Sequence, residues 1–205
     1  DVLRQTLTVT FLRETIPAVL KPSSMGCVIG DGFASTTSIL LGTHSAKCVV
    51  MVNLTKTLLV DLWFLKEWMG DAKFDSQVRL VTDEDSLLEA LAEHGLSTSF
   101  VKVIAIQAKD HHLIKKCPID YAINTASMQE MDPQVIEEYF TVLRSAVVNN
   151  EMYFYCANRE EKLLPDGTVT RFNDYPWLIE DEVKVDELCP WHQFYYDPIP
   201  PFYHP

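Results

Sequence analysis

The residues best placed to do chemistry begin at Val28-Ile29-Gly30-Asp31-Gly32-Phe33-Ala34. An apolar run that breaks into closely spaced glycines lets backbone approach a ligand. It also aims free N–H groups at the start of the next helix. Gly30 and Gly32 meet that need, and Ala34 is small enough to stand for a third glycine. An ordinary strand-to-helix turn would use the same glycines. Asn53 lies 21 positions beyond Gly32, about where nucleotide-binding folds hold a ribose hydroxyl. Its amide can accept one hydroxyl bond and donate another. Asp31 sits within the turn, where it would repel a pyrophosphate. A sulfonium ligand with an ammonium group has no such conflict. The turn therefore favours S-adenosylmethionine over a nicotinamide dinucleotide.

Further along stand candidate bases: His111, His112, Glu130, Asp132 and His192. Asp132 precedes Pro133 and reads more simply as a helix cap. His111 and His112 also fit an exposed loop. Cys189 and His192 have metal-ligand spacing, but no second pair accompanies them, so no metal is expected.

These groups need elements to position them. Residues 2–20 read as a helical arm ended by Pro22. Gly26–Ile29 reads as a strand, and Ala34–Leu41 as a helix stopped by Gly42. Lys47–Val52 is the next strand. Thr55 is placed to cap a helix carrying Leu58, Leu59, Leu62, Leu65 and Trp68 at helical spacing. Val78–Val81 is a strand, and Asp83 caps a helix reaching His94 and Gly95. Phe100–Gln107, Asp120–Asn124 and Met152–Cys156 complete the strands. The last two flank a helix that starts at Asp132-Pro133 and shows Ile136, Phe140, Leu143 and Val147 on one face. This alternation predicts an α/β, Rossmann-like, mostly parallel sheet with helices on both faces. Asp166-Gly167 marks a hairpin between Leu163 and Val169. Beyond Asp174 come Trp177, Trp191, Phe194, Tyr195, Tyr196, Phe202 and Tyr203, an aromatic-rich cap. The expected organisation is an N-terminal arm (1–22), a cofactor-binding domain (23–158), and a hairpin with cap (159–205).

Ile119-Asp120-Tyr121-Ala122-Ile123-Asn124, followed by Thr125 to Met131, resembles the fourth-strand motif of the sugar O-methyltransferase family. The stretches Asn158–Glu161, Leu164–Thr168, Asp174–Trp177 and Glu187–Gln193 resemble it too, so the likeness runs over about residues 24–205. The resemblance implies a class I S-adenosylmethionine-dependent methyltransferase acting on a hydroxyl of a small substrate, a sugar. It implies cofactor contacts from Gly30, Asp31, Gly32, Phe33, Asn53, Gln107, Ala108, Asn124 and Ser127. Met128, Gln129 and Trp191 would face the substrate, and Glu130 and His192 would be catalytic. Two positions depart from the class I pattern: Val28 and Asn53 stand where acids are usual. They support a rival reading, a non-catalytic binding module. A third reading is an NAD(P)-dependent oxidoreductase.

With 17 basic and 29 acidic residues the net charge is −12, which disfavours nucleic acid and anionic membranes as partners. The odd number of cysteines, five, with no CxxC pair, implies a reducing compartment, and a cytoplasmic location is expected. No apolar run is long enough to span a bilayer.

Overall fold

The computed structural model describes residues 2–95, 101–146, 151–193 and 202–203. Alternation along the strands decides its layering. In β1 (Met25–Ile29) and β2 (Cys48–Asn53), Cys27, Ile29, Cys48, Val50 and Val52 face one apolar layer. Val28 and Val49 face a second layer, and Met51 a third cluster beside it. A strand buried on both sides needs helices on both faces. On the first side lie α5 (Glu84–Gly95), α6 (Pro133–Ser145) and the 3-10 stretch Ala108–Lys116. On the other lie α1 (Val2–Thr15), α2 (Ser35–Gly42) and α3 (Thr55–Met69).

Among the described residues the sheet has seven strands, in the order β3-β4-β2-β1-β5-β6-β9. Here β3 is Val78–Val81, β4 Val103–Gln107, β5 Tyr121–Thr125, β6 Tyr153–Arg159 and β9 Phe202–Tyr203. All pairs from β3 through β6 are parallel, and β9 runs antiparallel to β6. The expected Rossmann-like α/β architecture is present. From β1 the chain moves first toward β2 and later crosses to β5. Their carboxyl ends thus form a topological switch point, where α/β sheets bind ligands.

Several boundaries differ from the sequence expectation. The first helix ends at Thr15, not Leu20, because Pro17 lacks an N–H and disfavours helical geometry at Ile16. Leu54, not Thr55, is the N-cap of α3, and no side chain caps it. Asp132 occupies the N-cap of α6 without a side-chain bond. Asp83 does cap α5, accepting the Ser86 N–H at 2.9 Å. Helix α4 (Asp71–Gln77) had no sequence signal. The hairpin β7 (Glu161–Leu163) and β8 (Val169–Arg171) turns through Asp166-Gly167 as expected. Phe100, Val147, Phe194, Tyr195 and Tyr196 lie outside the described residues.

The aromatic cap packs as hydrophobic core where it is described. Trp177 lies edge-on to Phe140, with centroids 4.8 Å apart, and Tyr175 and Phe172 join them. The five cysteines are free thiols, each buried. No described helix is long and apolar enough to cross a membrane.

Candidate functional site

The β1 turn is unusual backbone. Gly30 and Gly32 have φ of 72° and 61°, and Phe33 and Ala34 follow at 63° and 50°. Consecutive left-handed residues cost energy in anything but glycine. Two carboxylates hold them in place. Asp31 accepts the Thr36 N–H at 2.7 Å and the Thr37 N–H at 2.8 Å, so it caps α2 from outside the helix. Asp61, fully buried on α3, accepts the Ala34 N–H at 3.1 Å with Oδ1. Its Oδ2 accepts the Asn53 amide at 2.8 Å. Asn53 in turn accepts the Leu54 N–H with Oδ1. The turn, the end of β2 and α3 are thereby tied through one buried carboxylate.

Asp61 escaped sequence reading. Its signal was nonetheless there: Leu58, Asp61 and Leu65 share one helical face, so an acid falls on the buried side. Two residues expected to touch cofactor through their side chains are instead spent internally. Asp31 has both oxygens on helix N–H groups, and Asn53 has both amide ends engaged.

The same holds opposite, at the end of β5. Asn124 donates to the Ile29 carbonyl at 3.0 Å, and Ser127 Oγ donates to it at 3.0 Å. Asn124 Oδ1 accepts from the Asn158 amide at 2.9 Å and from the Met128 N–H at 3.2 Å. Asn158 Oδ1 accepts the Gln129 N–H, and Gln129 Oε1 accepts the Arg159 N–H. These bonds lock β1, β5 and β6 together at their carboxyl ends. Gly30 fits against this lock. A Cβ there would overlap Ser127 Oγ and Cβ.

Met128 and Gln129, expected to face substrate, are buried, Met128 in the main core. Their burial follows from the short 3-10 turn Met128–Glu130, which folds back onto β6. Glu130 does project outward; its Oε1 lies 3.7 Å from Lys162 Nζ of β7. Gln107 is half-buried at the end of β4, paired in register with Asn53, and its Oε1 accepts the Thr55 hydroxyl at 3.0 Å. Ala108, also half-buried, starts the 3-10 stretch and offers its carbonyl to His111 Nδ1 at 2.8 Å. His111 also meets Glu138 at 3.3 Å and stacks on Tyr139, while His112 is exposed. His192 and Trp191 lie elsewhere. His192 is buried with Nδ1 3.0 Å from Cys189 Sγ. Trp191 donates to Thr8 Oγ1 at 3.0 Å and packs on Phe11, both of α1. Phe33 is 53% exposed and meets Phe64 edge-on.

What remains open at the switch point is backbone. Among the described residues nothing accepts the Gly32 N–H, and a Cβ on Gly32 would meet nothing within 4 Å. Such an N–H beside a helix start suits a carboxylate or other anionic oxygen. A cavity of about 750 Å³ lies away from this turn, between Phe11, Tyr153, Trp177 and the segment through Asp186.

Burial pushes the Asp31 carboxyl up to about 6, although the Thr36 and Thr37 N–H bonds oppose the rise. An acid whose pKa is raised by folding binds its proton more tightly when folded. Its contribution is complete at low pH and is lost as pH climbs from the unfolded pKa, near 4, through about 6. Urea unfolding of wild type and Asp31→Asn between these limits should show wild type losing up to about 3 kcal/mol relative to the variant. A pH-independent difference would contradict this.

No protein-family model matches the chain, and no curated protein does. Solved structures do match in fold. An S-adenosylmethionine-dependent methyltransferase from Leishmania major is 10% identical, with a TM-score of 0.54 over 98% of this chain and 71% of that one. TrmK from M. capricolum, in complex with S-adenosyl-homocysteine, is 11% identical, with a TM-score of 0.49 over 95% of this chain. The chain spans 65% of TrmK's length. Strand order, the turn after β1 and the Leishmania likeness define a Rossmann-like methyltransferase fold.

Proposed function

We propose that the chain is an S-adenosylmethionine-dependent methyltransferase acting on a hydroxyl of a small molecule, a sugar. The observation that carries this is the left-handed turn Gly30–Ala34, with its unpartnered Gly32 N–H, at the switch point of this fold. The Leishmania protein, an S-adenosylmethionine-dependent methyltransferase of similar fold, supports it. The sugar rests on the sequence resemblance at 119–131 and in the later motifs.

The turn accommodates the cofactor by its backbone. Gly30, Gly32 and Phe33 would border it, and Asp31 acts by fixing the helix start behind them. The half-buried Gln107 and Ala108, with the exposed Thr55 hydroxyl, stand where the adenosine end would lie. Asn53, Asn124 and Ser127 serve as positioning residues that hold the strand ends. When bound, S-adenosylmethionine supplies an electrophilic methyl group. The chain's task is then to align the acceptor oxygen, exclude water and remove its proton. Glu130 is the base in this reading, because it alone of Met128, Gln129 and Glu130 projects outward. His192, packed against Cys189 beneath α1, does not share the task.

Glu130→Gln should lower methyl transfer to a panel of free sugars by roughly 10²-fold or more, with S-adenosyl-homocysteine binding unchanged. Radiolabelled methyl transfer and calorimetry check the two halves. Full activity in the variant would remove Glu130 as base. The internal engagement of Asp31 and Asn53 favours a second reading, a domain of this fold that binds without catalysis. Saturable S-adenosyl-homocysteine binding without transfer to any acceptor would support it.

A further inference from the structure

We infer that α3 is a self-association surface, on which a second copy of this chain packs antiparallel about a two-fold axis. The inference does not rest on the methyltransferase reading. Helix α3 buries Leu58, Asp61 and Leu65 against the sheet. Its opposite face carries Lys56, Leu59, Val60, Trp63, Phe64 and Glu67, all exposed, with Leu59 at 62% and Trp63 at 59%. Trp63 and Phe64 are in edge contact, and Phe64 meets Phe33 of the glycine turn, so the apolar area extends off the helix. Leu54, 67% exposed, adds to it at the helix start. The patch amounts to something on the order of 500 Å². That is at the upper end of what a monomer ordinarily leaves open.

The order of residues identifies the occupant. Positions 56, 59, 60, 63, 64 and 67 form one stripe at helical spacing, roughly 16 Å long. The stripe is symmetric in character about the midpoint between Asp61 and Leu62. Reversing the helix places Lys56 opposite Glu67, Leu59 opposite Phe64 and Val60 opposite Trp63. An isologous interface requires that self-complementarity: apolar groups meet apolar groups in the middle, and a cation meets an anion at each end. The stripe carries no net charge, whereas the whole chain carries −12. Two like-charged copies can therefore meet here with least repulsion. An anionic bilayer would be repelled by the rest of the surface. The area, doubled, lies near the lower limit for specific interfaces, so the dimer should be of modest affinity.

Sedimentation velocity on the 205-residue chain, across about 1 to 200 µM, should show a reversible monomer–dimer equilibrium. Lys56→Glu alone and Glu67→Lys alone should each weaken it by roughly tenfold or more, since each places like charges together twice. An equimolar mixture of the two single variants should restore the dimer as a mixed pair, and K56E/E67K in one chain should restore it as well. Both positions are exposed, and circular dichroism should show the fold intact. A wild type that stays monomeric across this range overturns the inference. So does a dimer indifferent to the charge swaps. Binding of monomers to phosphatidylcholine vesicles, without self-association, would also overturn it and mark the face as a lipid contact.

Discussion

Gly30→Ala should cost the protein about 2–5 kcal/mol of stability and abolish binding of S-adenosyl-homocysteine. Two effects add. The residue sits at φ 72°, where a side chain costs about 1–2 kcal/mol. The new Cβ would also overlap Ser127, and overpacking of this kind costs roughly 1–3 kcal/mol. Ser127 cannot simply turn away, because its hydroxyl bonds the Ile29 carbonyl and Asn124. Relief must therefore come from β1 or β5 moving apart at the switch point. For a chain of this size the melting temperature should fall by roughly 4–20 °C. Calorimetric melting checks this directly. An unchanged melting temperature would mean that the turn is looser than its geometry implies. Gly32→Ala provides the contrast: its Cβ would meet nothing within 4 Å, so only the backbone penalty of about 1–2 kcal/mol should appear.

Asp61→Ala should have an effect of similar size by a different route. Burial pushes the Asp61 carboxyl up, against the Asn53 and Ala34 bonds, so keeping the charge inside is itself costly. Removing it relieves that cost. It also leaves the Asn53 amide and the Ala34 N–H without their acceptor, at about 1–3 kcal/mol for each buried donor. The unmet donors win, and a net loss of about 2–4 kcal/mol is expected. Asp61→Asn keeps one acceptor oxygen and should lose less than alanine does. Urea unfolding of both variants tests the order. Equal losses would show that the charge matters, not the hydrogen bonds.

The layout of strands was legible because strands buried on both faces read as short, continuous apolar runs. Val49 to Val52 and Ile104 to Ile106 are such runs, rich in β-branched residues. The hairpin at Asp166-Gly167 was legible because Gly167 takes φ 92° in a turn that glycine favours. Pro17 marks the end of α1 in the sequence, through its effect on Ile16. The site was legible in place but not in role. Gly30, Asn53, Asn124 and Ser127 do converge on the ends of β2, β1 and β5. Sequence shows that a polar group stands at a strand end; it does not show which partner takes its hydrogen bonds. Asn53 read as a free amide because its partner, Asp61, lies on the buried face of another element. Asn124 read as a ligand contact because its partner, Asn158, lies 34 residues away. His192 and Trp191 read as site residues because only tertiary structure reveals that α1 covers them.

The proposed function requires the Gly30–Ala34 turn to bind S-adenosylmethionine. Titration calorimetry of the wild-type chain with S-adenosyl-homocysteine, repeated on Gly30→Ala and with NAD as competitor, tests it most directly. Saturable one-to-one binding, lost in the variant and unaffected by NAD, is the predicted result. No heat of binding at millimolar S-adenosyl-homocysteine, or tight binding of NAD in its place, would contradict the claim.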